Sequence, residues 1–216
     1  MTHSLHRRGD VESLKKDFLV LSCTAKGYND AWYREPAKEF IRVCVKHKPV
    51  NGGDMKTGNL LYVDPQQIID KVTNTTILEF TFDSKENVVE CIRELKERDL
   101  GISIVVTGMI DEVNDIVDKA GLPKVHTREF SLGTHGRLKL LPEWEVLEFT
   151  TMCGHAMIAS ELVKKMIVDS KKGRATPKEA AVVMGKCCSC GNFNVNRAVE
   201  LMEKNAPLWT DDYPVY

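Results

Sequence analysis

The chain has 216 residues, 43% of them hydrophobic and 28% charged, with a formal net charge of −1. That composition suits a folded chain with a real core and gives no overall electrostatic pull toward nucleic acid or an anionic membrane. No apolar run approaches the roughly 18 residues of a membrane span, and Met1–Arg8 lacks the apolar stretch of a secretory signal. The expected location is therefore cytoplasmic, where thiols stay reduced and clustered cysteines point to metal or redox chemistry rather than to disulfides.

Residues 1–17 read as a polar arm draped over the surface, with His3, His6, Arg7 and Arg8 suited to an anion contact. Phe18–Cys23 is a short apolar run and predicts a buried strand. Tyr28 to Glu39 reads as a loop or short helix around Pro36. In Ile41–His47, Ile41, Val43 and Val45 alternate with Arg42, Cys44 and Lys46, which predicts a half-buried strand. Cys44 would then sit between two cations that lower a thiol pKa. Asn51–Asn59 is glycine-rich but lacks the order of a phosphate-binding loop, so it reads as a turn between strands.

A regular alternation follows. Leu60–Val63 reads as a strand. Asp64, Pro65 and Gln67 announce a short helix running to about Val72. Leu78, Phe80 and Phe82 mark another strand. Ser84 caps a helix whose apolar stripe is Val88, Cys91, Ile92 and Leu95. Ile102–Val106 is a nearly continuous apolar run, expected of a central strand covered on both faces. Asp111 caps a helix with Val113, Ile116, Val117 and Ala120 inward, and Gly121 stops it. This order predicts an α/β class, with α+β as the alternative: a mixed, partly parallel sheet with right-handed crossovers, flanking helices and a C-terminal helical segment. No dinucleotide fingerprint lies at a strand end.

Val125–Phe130 alternates like an edge strand, and Ser131–Arg137 reads as a loop that exposes His135. His126, Arg128, His135 and Arg137 are the candidates to line a pocket for a small-molecule substrate. Glu145–Met152 reads as the strand that delivers Cys153. Residues 1–150 thus form an α/β scaffold, and residues 151–216 a helical, cysteine-containing segment packed on the same domain. The aromatic and acidic tail, Trp209–Tyr216, is suited to dock on the body or on a second subunit, which leaves a homo-oligomer open.

Four of the seven cysteines fall in the stretch from Cys153 to Arg197. His155 opens an amphipathic helix through Ala159, Leu162, Val163, Met166 and Ile167. Thr176-Pro177-Lys178-Glu179 is a capping box that starts a second, short helix closed by Gly185. Asn194 caps a third helix with Ala198, Leu201 and Met202 inward. Cys153 is then expected between a strand end and a helix N-terminus, where free N–H groups favour a thiolate. Cys187, Cys188 and Cys190 occupy the elbow between two helices.

Three readings follow. In the first, Cys187-x-x-Cys190-Gly191 supplies half of a zinc knuckle and Cys153-x-His155 the other half, with Cys188 as an alternate thiolate. If only thiolates ligate, the same cysteines suit an iron–sulfur cluster. The protein would be a metal-binding enzyme or a cofactor-handling protein. The second reading is a metal-free thiol enzyme, with Cys153 and His155 as the catalytic candidates. Met152-Cys153-Gly154-His155 resembles the M-C-G-H segment of the proline racemase family, and Cys190-Gly191 is similar to the C-G of that family's second catalytic cysteine. The resemblance implies a cysteine acid/base at a helix N-terminus, in a pair that takes and gives one proton on opposite faces of a Cα. The third is a structural or interaction module with buried cysteines.

Overall fold

The computed structural model describes residues 3–205, so the tail Trp209–Tyr216 lies outside the described residues. Its centre is a five-stranded sheet in the order β3-β2-β4-β1-β5. The strands are β1 (Phe18–Cys23), β2 (Asn51–Asp54), β3 (Gly58–Asn59), β4 (Leu78–Phe82) and β5 (Ser103–Thr107). Every pairing is antiparallel: Val20 of β1 faces Phe80 of β4 on one side and Val106 of β5 on the other. The class is mixed α/β as expected, and the partly parallel detail is corrected.

The reason lies in the crossovers. The chain leaves β1 through helix α2 (Arg34–Lys46) and returns as β2, and leaves β4 through α4 (Lys85–Arg98) to return as β5. Each return skips one position, so the strands that run in the same direction never touch. β4 inserts between β1 and β2, and β1 between β4 and β5, which is a split β-α-β arrangement. The alternation of strand and helix is legible in sequence; the inserted antiparallel strand is not. Ile102–Val106 accordingly lies in an edge strand rather than a central one, bonded to β1.

Phe18, Val20, Leu78, Phe80 and Phe82 point to one face, where they meet Phe40 and Ile41 of α2 and Val88, Cys91 and Ile92 of α4. Residues 41–46 are therefore helical, not a strand. The short alternation there is overridden by a longer stripe, Ala37, Phe40, Ile41 and Cys44, at helical spacing. Pro36 is tolerated because it falls in the first turn. Short helices α1 (Val11–Leu14) and α3 (Pro65–Lys71) and the longer α5 (Ile110–Lys119) complete this half. Asp64 and Ser84 cap α3 and α4 as read from sequence, whereas α5 starts from Met109 rather than Asp111. Leu60–Val63 is a turn folded on Asn59, whose carbonyl accepts from the Tyr62 and Val63 amides.

Val125–Phe130 forms no strand. Neither of its alternating faces is apolar enough to bury, and residues 126–141 lie exposed. The described residues that follow form four α-helices: α6 (Trp144–Thr150), α7 (Ser160–Lys171), α8 (Pro177–Cys187) and α9 (Val195–Asn205). Residues 145–150 are thus helix and not strand, with Val146 and Phe149 one turn apart in a second apolar cluster. That cluster also takes Met152, Ile158, Val163, Ala180, Met184, Phe193 and Leu201. The capping box of α8 is formed as read: Thr176 accepts from Glu179 N, and the Glu179 carboxylate takes the Thr176 N–H. No helix among the described residues is long and apolar enough to cross a membrane.

Candidate metal centre

The helical half lies on the sheet face opposite α2 and α4, and the contact is made by the elbow between α8 and α9. Thr81, which alternates with Phe80 and Phe82 on β4, donates its hydroxyl to Gly191 O at 2.9 Å. Asn51 of β2 donates to Phe193 O at 3.2 Å. Asn59 of β3 donates to Gly185 O at 3.1 Å and to Cys188 O at 2.8 Å. Four carbonyls of the α8 end and elbow thus take side-chain donors from the sheet, as buried carbonyls require. Gly191 has φ +81, and a Cβ there would stand 2.4 Å from the Gly52 carbonyl carbon. Only glycine allows so close an approach of elbow to sheet.

Held this way, the elbow presents its sulfurs to the loop between α6 and α7. Cys188 Sγ lies 3.9 Å from Cys190 Sγ, and Cys190 Sγ lies 3.5 Å from His155 Nδ1. Cys153 interacts with Cys188, a contact that raises the first thiol and lowers the second. All three sulfurs are buried: Cys153 is 2% exposed, Cys188 0% and Cys190 1%. His155 closes the row from the solvent side and is exposed. The contacts run in sequence, Cys153–Cys188–Cys190–His155, rather than as a finished cage. Among the described residues no three His, Cys, Asp or Glu side chains already stand as a metal-binding group.

The backbone at His155 and Met157 acts to lower the Cys153 thiol, and that at Phe193 acts to lower Cys188. Ala156, between His155 and Met157, holds φ 54, a left-handed conformation unusual for a residue with a Cβ. Two of the thiols are nonetheless pushed toward the protonated form. Cys153 is raised well above the ordinary thiol value, first by its bond to Cys188 and then by burial. At Cys188 the bond from Cys153 acts downward, but the bond to Cys190 and burial outweigh it and push the thiol up to about 12.

Cys187 does not join the row. It is the last residue of α8, and its thiol bonds back to Val183 O at 3.7 Å. Cys153 lies in the loop after helix α6, not at a strand end, and α7 begins at Ser160 rather than His155. The four basic candidates sit on the exposed stretch before α6. Arg128 bonds Asn114 Oδ1 at 2.9 Å and His135 bonds Leu132 O at 2.8 Å, while His126 and Arg137 are exposed there.

Sequence reasoning missed the supports Asn51, Asn59 and Thr81, and within the N-terminal arm, which is half-buried to exposed over residues 5–16, it missed Arg7. The Arg7 side chain is tucked in, donating to Asn192 O at 2.5 Å and reaching Met152 O at 3.5 Å. The asparagine pair flanking the glycine-rich β2–β3 hairpin was the available signal, since asparagine is seldom buried without a bonding task. No protein-family model, curated protein or solved structure matches the chain.

Proposed function

We propose that this is a zinc-binding protein, with Cys153, Cys188, Cys190 and His155 as the ligands. The observation that carries the reading is the length of the contacts. Four ligands around one zinc ion, with sulfur at about 2.3 Å and nitrogen at about 2.0 Å, form a tetrahedron with edges of roughly 3.8 Å between sulfurs and roughly 3.5 Å between sulfur and nitrogen. The Cys188–Cys190 and Cys190–His155 separations of 3.9 and 3.5 Å match those edges. The backbone around Cys153 and Cys188 further supports it, because its effect on both thiols is toward the thiolate form that a metal requires.

An iron–sulfur cluster fits less well, because it distributes its thiolates over more than one iron, whereas these contacts are short enough for a single ion. Proton transfer between two free thiols also fits less well. It needs room for a substrate carbon between the sulfurs, and Cys188 contacts both Cys153 and Cys190. Three thiolates and one imidazole complete the four-coordinate set of a structural zinc site. Such a centre would tie the α6–α7 loop to the α8–α9 elbow, and through Asn51, Asn59 and Thr81 to the sheet. The exposed imidazole marks the side from which the ion enters.

The test is elemental analysis of protein purified under reducing, oxygen-free conditions. One zinc per chain, absent from a Cys188→Ser variant and retained in Cys187→Ser, is the expected result. Metal-free wild-type protein after exposure to zinc, or zinc retained by Cys188→Ser, overturns the proposal.

A further inference from the structure

Residues 126–141 are exposed, yet the stretch is not simply polar. Leu132 is 89% exposed and Leu140 70%; Phe130, Leu138 and Leu141 are also open, and exposed Trp144 follows at the start of α6. Single apolar side chains on a surface are ordinary, but a run of this density marks a contact site. The N-terminal arm fastens the stretch to the body. His6 bonds Ser131 Oγ at 2.9 Å, Arg8 bonds the Thr134 hydroxyl, and the Arg8 guanidinium stacks 5.6 Å from the Trp144 ring centre. Arg137 and Lys139 stand beside the leucines with no ion pair among the described residues. Glu143, the acid nearest them in the chain, is taken by Lys164 at 3.5 Å. The surface is therefore apolar and carries free positive charge.

The chain itself supplies a segment of matching chemistry. Residues 206–216 follow α9, outside the described residues, and include Leu208, Trp209, Asp211, Asp212, Tyr213 and Tyr216. Their starting point is beside this surface. Asn205, the last residue of α9, bonds Glu148 of α6 at 3.4 Å, and Glu148 follows Trp144 by one helical turn on the same face. Lys204 pairs at 2.5 Å with Asp10, close in the arm to the Arg8 that stacks on Trp144. An extended chain covers about 3.3 Å per residue, so the segment can span about 35 Å. One helical turn is only about 5.4 Å. We infer that residues 126–144 form a docking surface whose occupant is this chain's own C-terminal segment. Trp209 enters among the leucines of 138–141, and Asp211 and Asp212 answer Arg137 and Lys139.

Tethering favours this occupant over the same segment of a second copy. A short linker gives an effective concentration on the order of millimolar, above that of a protein at micromolar concentration in solution. Exposed ion pairs contribute little, so Trp209 carries the affinity and the two aspartates fix the register. Arg137 then serves the chain's own carboxylates rather than a small-molecule substrate. The inference is independent of the zinc reading.

Two measurements on the full chain test this. The first is zero-length carbodiimide cross-linking, read by mass spectrometry, on an equal mixture of protein grown with ordinary and with heavy nitrogen. Amide links from Lys139 to Asp211 or Asp212 are expected, with both peptides carrying the same isotope. Links of mixed isotope make a second copy the occupant and overturn the inference, as does the absence of any link at Lys139. The second is the rate of limited trypsin cleavage at Arg137 and Lys139. Trp209→Ala is expected to speed it by about 10-fold, as loss of an aromatic anchor does. Asp211→Asn together with Asp212→Asn is expected to speed it by about 2–5-fold. Cleavage at Lys26, in an exposed turn of the sheet half, is the control and should not change. Wild-type rates at Arg137 and Lys139 in Trp209→Ala, or an equal acceleration at Lys26, overturn the inference and leave the zinc reading standing.

Discussion

Two pairs of cysteines in this molecule stand at the same separation, and they do opposite things. Cys44 and Cys91 meet at 3.9 Å between α2 and α4, in the core of the sheet half. Cys188 and Cys190 also meet at 3.9 Å, in the helical half. The difference is in what surrounds them. Cys44 and Cys91 sit within helices whose amide groups are already used along the helix. Burial, followed by the bond from Cys91, holds the Cys44 thiol well above its ordinary value. The helical-half pair sits in an elbow, where the backbone acts to lower the Cys188 thiol and a third cysteine and a histidine arrive from another loop. Closeness of two sulfurs makes a packing contact. Closeness in a segment whose backbone favours the thiolate makes a candidate centre.

The largest test of that contrast is substitution at each pair. Cys188→Ser should abolish stoichiometric zinc binding, with affinity falling by about 1,000-fold or more, while Cys44→Ser should leave zinc stoichiometry untouched. The pH dependence should separate the states as well. Zinc must displace the thiol protons, so affinity should rise with pH at a slope approaching about three protons per ion and fall away in acid. The chelated protein should behave in the other direction. The folded Cys188 thiol is raised from 9.0 to about 12, so its contribution is intact below pH 9 and is lost as pH climbs toward 12. Chemical denaturation across pH 7 to about 11 checks the second claim, and zinc competition titrations at several pH values check the first.

Gly191→Ala comes next. Its Cβ would meet the Gly52 backbone at 2.4 Å in a positive-φ conformation, with no flexible side chain to yield. A loss of about 3 kcal/mol in urea denaturation is expected, together with weaker zinc binding, because the elbow must lift from the sheet. Cys44→Ala should cost less, about 1 kcal/mol, with zinc affinity unchanged. The smallest effect is expected at Glu94, on the same helix as Cys91. Lys46, then Arg98 and His47, hold its carboxyl down to about 2. That contribution is present above the ordinary value near 4.5 and is lost as pH falls toward 2. Glu94→Gln should cost at most about 1 kcal/mol by thermal denaturation at neutral pH, since the network is at the surface.

The caps were the most legible part of the fold. Asp64, Ser84 and Thr176 all act as N-caps; Ser84 and Thr176 take the amide three residues on, whereas Asp64 takes that of Gln66 and forms no box with Gln67. Ile41–His47 and Glu145–Met152 read as strands because seven or eight residues of apolar pattern fit a strand and a helix equally. Tertiary packing settles such cases. The direction of strand pairing was not legible at all, since whether a crossover skips a position depends on a strand that arrives later in the chain. In the candidate centre, the cysteines and His155 stand out in sequence by spacing. Their supports do not: Arg7 lies 145 residues from Met152 and Thr81 lies 110 from Gly191, and no local pattern announces contacts of that span.

The ligand set itself is the most direct thing to measure. X-ray absorption at the zinc edge of the loaded wild-type protein, read with the optical spectrum of its cobalt-substituted form, counts the sulfurs and nitrogens around the ion. A Cys153–Cys188–Cys190–His155 centre requires three sulfurs at about 2.3 Å and one nitrogen at about 2.0 Å in a tetrahedral field. An ion ringed by oxygen and nitrogen without sulfur, or by sulfur in a spectrum that a Cys153→Ser substitution leaves unchanged, would contradict it.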